Sequence, residues 1–149
     1  MAAITIVRAD PAHLEAVLPL VAAYREFYNQ RSAPSRERAF VAAHLRDRTS
    51  VVFLAAIDGV AVGFVQLFAT ASTVQLGTGY ILEDLFVVPE ARRGGVAGAL
   101  IERALNHAHE NGAVGMFLET ASDNAPAQAL YERLGWTREG RFLKYNAPL

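Results

Sequence analysis

LEDLFVVPEARRGGVAGAL, residues 82–100, joins a strand-forming run to a helix-forming run through a proline, two arginines and two glycines. The free amides at a helix N-terminus carry roughly half a positive charge. Glycine lets the backbone approach a ligand closely, and the guanidiniums of Arg92 and Arg93 can pair with phosphate oxygens. This turn therefore predicts a cradle for an anion, most simply a pyrophosphate. The alternative is an ordinary strand-to-helix turn with solvated arginines.

The composition limits the classes of protein that need to be considered. The chain has 149 residues, 52% of them hydrophobic, and no repeat or linker divides it, so one domain over residues 1–149 is predicted. A formal net charge of -1 argues against a nucleic-acid partner. Cysteine is absent, and His107 and His109 point to different sides of a predicted helix, so no metal is expected. No apolar run is long enough to span a membrane and no signal peptide is recognisable, which predicts a cytoplasmic protein.

The apolar patterns predict a strand, two helices, three strands, a helix, a strand, a helix and two short strands. Asp58-Gly59, between two apolar runs, predicts a hairpin with a type I′ turn. One β-α-β crossover within a meander predicts an α+β domain with a mixed sheet that is parallel only around the crossover. The predicted strands cover residues 4–8, 51–57, 60–68, 80–88, 114–120, 136–139 and 141–145; one helix begins at Pro11, and the others cover residues 35–46, 94–110 and 124–134. Residues 69–79 are expected to form a polar loop.

Two blocks of sequence carry a family resemblance. Arg92-x-x-Gly95-x-Ala97 resembles the Gln/Arg-x-x-Gly-x-Gly/Ala signature of the GNAT superfamily of acetyl-CoA-dependent N-acetyltransferases, whereas the P-loop and Gly-x-Gly-x-x-Gly patterns are absent. DNAPAQALYERLGW, residues 123–136, resembles a second block of that family. The resemblance spans the chain and implies an α/β/α layered domain with a mostly antiparallel sheet of roughly six or seven strands and about four helices. YILEDLFV resembles, more narrowly, a strand of spermidine/spermine and Hpa-type amine acetyltransferases.

The resemblance implies acetyl-CoA as the cofactor. In the family, main-chain amides of the turn hold the pyrophosphate, and the pantetheine arm pairs with a splayed strand edge, which satisfies its two amides. The positions of this chain that match cofactor contacts are Leu85, Phe86, Val87, Arg92, Arg93, Gly94, Gly95, Val96, Ala97, Gly98, Asn124 and Ala127.

Three residues are candidates for the chemistry. Tyr131 matches the family's general acid, which would protonate the departing thiolate; the alternative is that it only packs its helix. Glu83 and Asp84 are neighbours on an apolar strand and should point to opposite faces, so at least one carboxylate is expected to meet a covered face. Glu83 matches a residue at the family's acceptor site and is the candidate base; the alternative is a structural ion pair with an arginine of the first helix. A main-chain amide in residues 86–88 is expected to stabilise the negative charge on the carbonyl oxygen.

The expected reaction is acetyl transfer from acetyl-CoA to a primary amine of a small molecule or peptide, with a polyamine-like or amino-acid-like acceptor favoured over a protein. Asp84, Tyr24 and Tyr28 join Glu83 as candidate substrate-binding residues, although an aromatic stripe on a helix is more often core. The resemblance also suggests a homodimer that uses the C-terminal strand. The alternative functions are a non-catalytic acyl-CoA-binding module, a protein lysine or N-terminal acetyltransferase, and a nucleotide binder.

Overall fold

The computed structural model describes residues 2–149 of the chain. The chain divides into two compact units, one ending at Leu118 and the other covering Glu119–Leu149. The first unit holds β1 (Ile4–Arg8), α1 (Leu14–Phe27), α2 (Pro34–Asp47), β2 (Val51–Ile57), β3 (Val60–Ser72), β4 (Gly77–Val87), α3 (Val96–Glu110) and β5 (Gly115–Phe117). The second unit holds α4 (Ala125–Arg133).

The sheet confirms the predicted α+β class. Its strand order is β1-β2-β3-β4-β5, and every neighbouring pair is antiparallel except β4 and β5, which are parallel on either side of the α3 crossover. The Asp58-Gly59 turn between β2 and β3 has φ of 51° and 77°, as the type I′ geometry requires. Within residues 2–149 the sheet has five strands, fewer than the six or seven expected.

The β3–β4 hairpin is longer than the sequence predicted. The expectation of a loop over residues 69–79 is wrong for most of that range, because pairing continues from Ala69↔Tyr80 to Ser72↔Gly77. Only residues 73–76 turn, with the Leu76 amide donating to the Thr73 carbonyl at 3.3 Å. Small and β-branched residues such as Thr70 and Thr78 suit a two-stranded arm, and this propensity outweighs the polar composition.

The two faces of the sheet bury separate sets of apolar side chains. On one face, α1 and α2 pack through Val17, Leu20 and Val41 onto a core that includes Phe64 and Phe86. The other face carries α3, whose buried stripe is Val96, Leu100, Ile101, Ala104, His107 and Ala108. A Cβ on Gly63 would lie 3.4 Å from Leu100 and 2.8 Å from the Phe86 carbonyl oxygen, so glycine permits the close approach of β3 and β4 beneath α3.

The outer edge of β4 is mostly unpaired. β5 pairs with it only from Gly79↔Gly115 to Ile81↔Phe117, since β5 covers three of the seven residues predicted for this strand. Beyond Ile81, β4 continues to Val87 with β3 on one side only. The structure therefore has the open strand edge that the resemblance implied, at residues 82–87.

The second unit contains one regular element. Asn124 caps α4, which agrees with the predicted helix. The predicted strands 136–139 and 141–145 are wrong, because no ladder forms there and Glu139 instead bonds the Arg141 amide at 2.7 Å. The side chain of Tyr145 is 88% exposed. Without this C-terminal edge strand, the homodimer stays a prediction.

Candidate active site

A cavity of about 630 Å³ lies between the α1–α2 pair and the sheet. Most of its lining is apolar and comes from α1, α2, β2, β3 and β4. Glu83, Asp84 and Tyr24, all predicted to bind substrate, line it. Tyr28 contributes indirectly, since its ring packs edge-on against Tyr24 at a centroid distance of 5.1 Å.

A β-bulge brings both predicted carboxylates to the same cavity. Gln66 of β3 pairs with Asp84, but the next residue, Leu67, pairs with Leu82, so Glu83 is the extra residue on β4. A bulge of this kind interrupts the alternation of side chains along a strand. The expectation that Glu83 and Asp84 point to opposite faces is therefore wrong, because it assumed an unbroken ladder.

Asp84 is held by a chain of hydrogen bonds. The Ser50 hydroxyl donates to Gln66 Oε1 at 2.8 Å, and Gln66 Nε2 donates to Asp84 Oδ2 at 2.7 Å. The Tyr24 hydroxyl also bonds Asp84. Burial, followed by the negative charge of Asp84, raises the pKa of Tyr24 far above its ordinary value, so its phenol stays protonated.

Glu83 is exposed at the cavity wall and makes no hydrogen bond or ion pair with the residues that the structure describes. The predicted alternative was an ion pair with an arginine of the first helix. That arginine instead pairs with a different carboxylate. Arg25 Nη1 lies 2.7 Å from Glu37 Oε2, and Glu37 is only 8% exposed. The two neighbouring carboxylates thus differ, with Asp84 fixed by its partners and Glu83 free to meet a ligand.

The unpaired edge of β4 leads away from the bulge. The Val88 amide donates to the Val62 carbonyl at 2.9 Å, which faces β3. Because main-chain groups alternate along a strand, the groups of Phe86 also face β3, whereas those of Leu85 and Val87 face the open side. Arg92 Nε donates to the Val87 carbonyl at 2.9 Å. The Val87 amide and both main-chain groups of Leu85 remain for an added chain.

The turn after β4 has the geometry of an anion cradle. Arg93 and Gly95 have φ of 66° and 84°, in the left-handed region that favours glycine and is uncommon for arginine. The first main-chain bond of α3 runs from the Ala99 amide to the Gly95 carbonyl at 3.0 Å, so the amides of residues 96–98 have no main-chain acceptor within the described chain. Apart from the adjoining backbone, no described atom lies within 4 Å of a Cβ built on Gly95 or Gly98, so a ligand can approach the main chain there.

Arg92 stabilises this turn as well as being a candidate cation. Besides its bond to Val87, its guanidinium lies 5.7 Å from the centroid of the Phe86 ring and 5.9 Å from that of Phe27. These contacts connect the turn to the end of β4 and to the C-terminal end of α1. Arg93 is also exposed and is the stronger candidate for a phosphate oxygen, because its guanidinium makes no such contacts within the described residues.

The second unit presents the remaining predicted residues. Asn124 Oδ1 accepts from the Ala127 amide at 3.2 Å, so the two residues form the N-cap of α4. The ring of Tyr131 packs 5.8 Å from that of Trp136, as the packing alternative requires.

Three further features of the described residues concern metal binding, membrane insertion and a buried histidine. No group of three or more His, Asp or Glu side chains in residues 2–149 could hold a metal ion. None of the described helices is both long and apolar enough to cross a bilayer. His107 is buried on the α3 face, where it contacts Phe53 and Tyr80. Burial, and then the charges of Arg8 and Arg103, lowers its pKa.

Several site residues were not predicted from the sequence. Gln66 had a usable signal, since it is the one polar side chain in the apolar run VAVGFVQLF. Arg25, Glu37, Phe40 and His44 had none, because their helical positions resemble those of a solvated or packed face. They reach the cavity only through the way α1 and α2 cross the sheet.

The matches to known proteins span both units of the chain. A family model described as Acetyltransferase (GNAT) family matches residues 15–136. The Bacillus subtilis protein named uncharacterized N-acetyltransferase YhfO is 40% identical over 143 residues, which cover 95% of this chain and 96% of that protein. The crystal structure of a probable acetyltransferase matches with a TM-score of 0.92 and 39% identity over 97% of each chain. Aminoglycoside N-acetyltransferase AAC(6')-Iy in complex with CoA shares the fold at 23% identity and a TM-score of 0.83, over 100% of this chain and 97% of that chain.

Proposed function

The chain belongs to the GNAT family of acetyltransferases, and on that premise we propose that Glu83 and Tyr131 serve direct acetyl transfer to a primary amine. The protein is an acetyl-CoA-dependent N-acetyltransferase. The observation that carries the proposal is the bulge, which places an unpartnered Glu83 on the cavity wall next to the open edge of β4. The free amine is the nucleophile, so a carboxylate that can take its proton is the group this reaction needs.

The cofactor is assigned to the main chain of β4 and of the turn that follows. The amides of residues 96–98, with Arg93, would hold the diphosphate, because they offer donors and charge at a helix N-terminus. Both main-chain groups of Leu85 would pair with the pantetheine amides. When bound, acetyl-CoA supplies a thioester carbonyl carbon that is open to attack by an amine.

The acceptor end is assigned to the cavity. Glu83 takes a proton from the substrate ammonium, directly or through water, and passes it to solvent. The neutral nitrogen then forms the new N–C bond as the C–S bond breaks, and the second nitrogen proton also leaves by way of Glu83. Asp84, fixed by Gln66 and Tyr24, attracts the ammonium electrostatically without becoming the base.

Two donors complete the reaction. The Val87 amide faces the open edge of β4 and would donate to the carbonyl oxygen as negative charge develops there. Tyr131 donates its phenol proton to the sulfur and recovers one from solvent. The products are the N-acetyl amine and coenzyme A, with one proton released overall for each ammonium consumed.

Release of coenzyme A thiol from acetyl-CoA on addition of primary amines tests this proposal. We expect Glu83→Gln to lower kcat/KM about 100-fold, because the amide cannot accept the proton. Glu102→Gln, which removes an exposed carboxylate on α3, is the matched control and should retain wild-type turnover. Equal turnover of the wild type and Glu83→Gln would remove Glu83 from the chemistry.

A further inference from the structure

The charges around the cavity are nearly balanced. Glu37, Glu83 and Asp84 contribute three carboxylates, while Arg25 and Arg36 contribute two guanidiniums. With histidine neutral, the lining carries a net charge of one negative unit. Arg25 already neutralises Glu37 at 2.7 Å, and Asp84 is bonded by Gln66 and Tyr24. Glu83 is the lining carboxylate that has no partner among the described residues, and a net charge of one negative unit matches a single ammonium.

An aromatic cluster lies beside these carboxylates in the same cavity. It consists of Phe40 and His44 of α2 and Phe68 of β3, with ring centroids 4.1 Å apart for Phe40–His44 and 5.8 Å apart for His44–Phe68. Phe40 is 54% exposed, although it lies next to a buried apolar core. Rings left open at a cavity wall provide a surface for an apolar ligand group.

The register of the sheet gives the spacing between the aromatic cluster and the free carboxylate. Phe68 pairs with Ile81, and Glu83 follows two residues later on β4. Glu83 is therefore a diagonal cross-strand neighbour of Phe68, and such neighbours lie about 7–8 Å apart. A ligand that reaches both features therefore needs an apolar ring and an ammonium separated by about two or three methylene groups.

From this juxtaposition, which rests on the proposed function, we infer that the acceptor is a monoamine whose single ammonium lies on an apolar, ring-bearing body. Glu83 binds the ammonium and the aromatic cluster of Phe40, His44 and Phe68 contacts the ring. This replaces the polyamine expected from the LEDLFV resemblance. A polyamine would bring several positive charges to a lining with one net negative charge, and a polycationic sugar would also lose hydration against apolar walls.

The inference is tested by thiol release at saturating acetyl-CoA with 3-phenylpropylamine, n-propylamine, spermidine and kanamycin. We expect kcat/KM for 3-phenylpropylamine to exceed that for each of the others at least about tenfold, because burial of the ring contributes only for that amine. A higher value for spermidine or kanamycin would overturn the inference and leave the proposed transferase chemistry intact.

Failure of every amine to release thiol would instead contradict the proposed function. Calorimetric titration of the protein with the same four amines then decides the inference separately. Tighter binding of 3-phenylpropylamine than of spermidine, by about tenfold, would support it, and equal or weaker binding would refute it.

A variant pair locates the selectivity. Phe68→Ala should lower the ratio of kcat/KM for 3-phenylpropylamine over n-propylamine at least about fivefold, since only the former uses the aromatic cluster. Phe142→Ala, at an exposed ring in the second unit, should leave the ratio unchanged. General structural damage would lower both rates together, so an unchanged ratio in Phe68→Ala would contradict the role of the aromatic cluster.

Discussion

In the proposed reaction, the two ends of β4 act by different means. At the bulge, Glu83 and Asp84 present side chains to a cavity. Beyond Val87, the groups assigned to the cofactor are main-chain amides, held by left-handed residues such as Gly95. The proposed role of the first end depends on the functional groups of its side chains. The proposed role of the second end depends on which φ values its residues permit. Substitutions should therefore act through chemistry at one end and through conformation at the other.

The largest expected effect lies at the main-chain end. Gly95→Val puts a β-branched residue at φ 84°, which costs about 1–3 kcal/mol locally, and it fills the open space beside the amides of residues 96–98. We expect the Kd of acetyl-CoA to rise about 100-fold, as measured by calorimetry, because hydrogen bonds to the diphosphate are lost as well.

Gly112→Val is the matched control for backbone strain. Gly112 lies just beyond the other end of α3, has φ 66° and likewise has no atom near a built Cβ. It should destabilise the fold by a similar amount yet leave the affinity for acetyl-CoA near that of the wild type. If both variants weaken acetyl-CoA binding equally, backbone strain alone explains the result. The amides after Gly95 would then have no specific role in binding the cofactor.

A side chain of the second unit gives the next effect. Tyr131→Phe keeps the ring that packs on Trp136 and removes the proton donor. We expect kcat to fall about 30-fold with the Kd of acetyl-CoA unchanged. The loss is below the usual range for a catalytic acid because a thiolate is a good leaving group even without full protonation. Full turnover in Tyr131→Phe would assign this residue to packing alone.

The same difference between the ends of β4 explains which parts of the structure could be predicted from the sequence. The turn was predictable from Arg92 to Gly98, because a positive φ at Gly95 and an open helix N-terminus require particular residue types. The hairpin at Asp58-Gly59 was predictable for the same reason. The matched family block also located Asn124 at the start of α4.

The cavity could not be predicted in this way. A bulge at Glu83 depends on the register of two strands, and no local residue pattern specifies it. The pair Arg25–Glu37 joins positions twelve residues apart on two helices whose crossing is set by packing. The predicted strands after Trp136 failed for a related reason, because apolar propensity does not supply the neighbouring strand that a ladder needs.

A smaller effect tests whether the side-chain end depends on the support of Asp84. Gln66→Leu removes the link between Ser50 and Asp84 and leaves both groups short of a partner. We expect kcat/KM to fall about fivefold and stability to fall by about 1–2 kcal/mol, with acetyl-CoA affinity unchanged. Gln75→Leu, at the exposed turn of the β3–β4 hairpin, is the control. A loss of acetyl-CoA affinity in Gln66→Leu would show that the two ends are coupled.

The smallest expected effect concerns His107, whose titration should change the stability of the fold with pH but not the chemistry along β4. His107 lies beneath Tyr80 with Arg8, Arg103 and Glu110 around it, and its pKa is lowered by burial and by the two arginines. The unfolded chain therefore takes up this proton first as the pH falls through about 6.5, so the folded state loses stability below that pH and not above it.

His107→Phe retains an aromatic ring against Phe53 and removes the titrating group. Urea unfolding at pH 5.5 and 7.5 should show a stability loss on acidification that is smaller than in the wild type by less than about 1 kcal/mol. His109→Phe, at an exposed position on the same helix, should behave as the wild type in this comparison. The pH–rate profile between pH 7 and 9 should be the same in all three proteins, because the proton transfers assigned to Glu83 and Tyr131 do not use His107. A pH–rate profile altered by His107→Phe alone would mean that folding and catalysis share a titrating group. His107 of α3 would then have to be counted among the groups that affect the reaction.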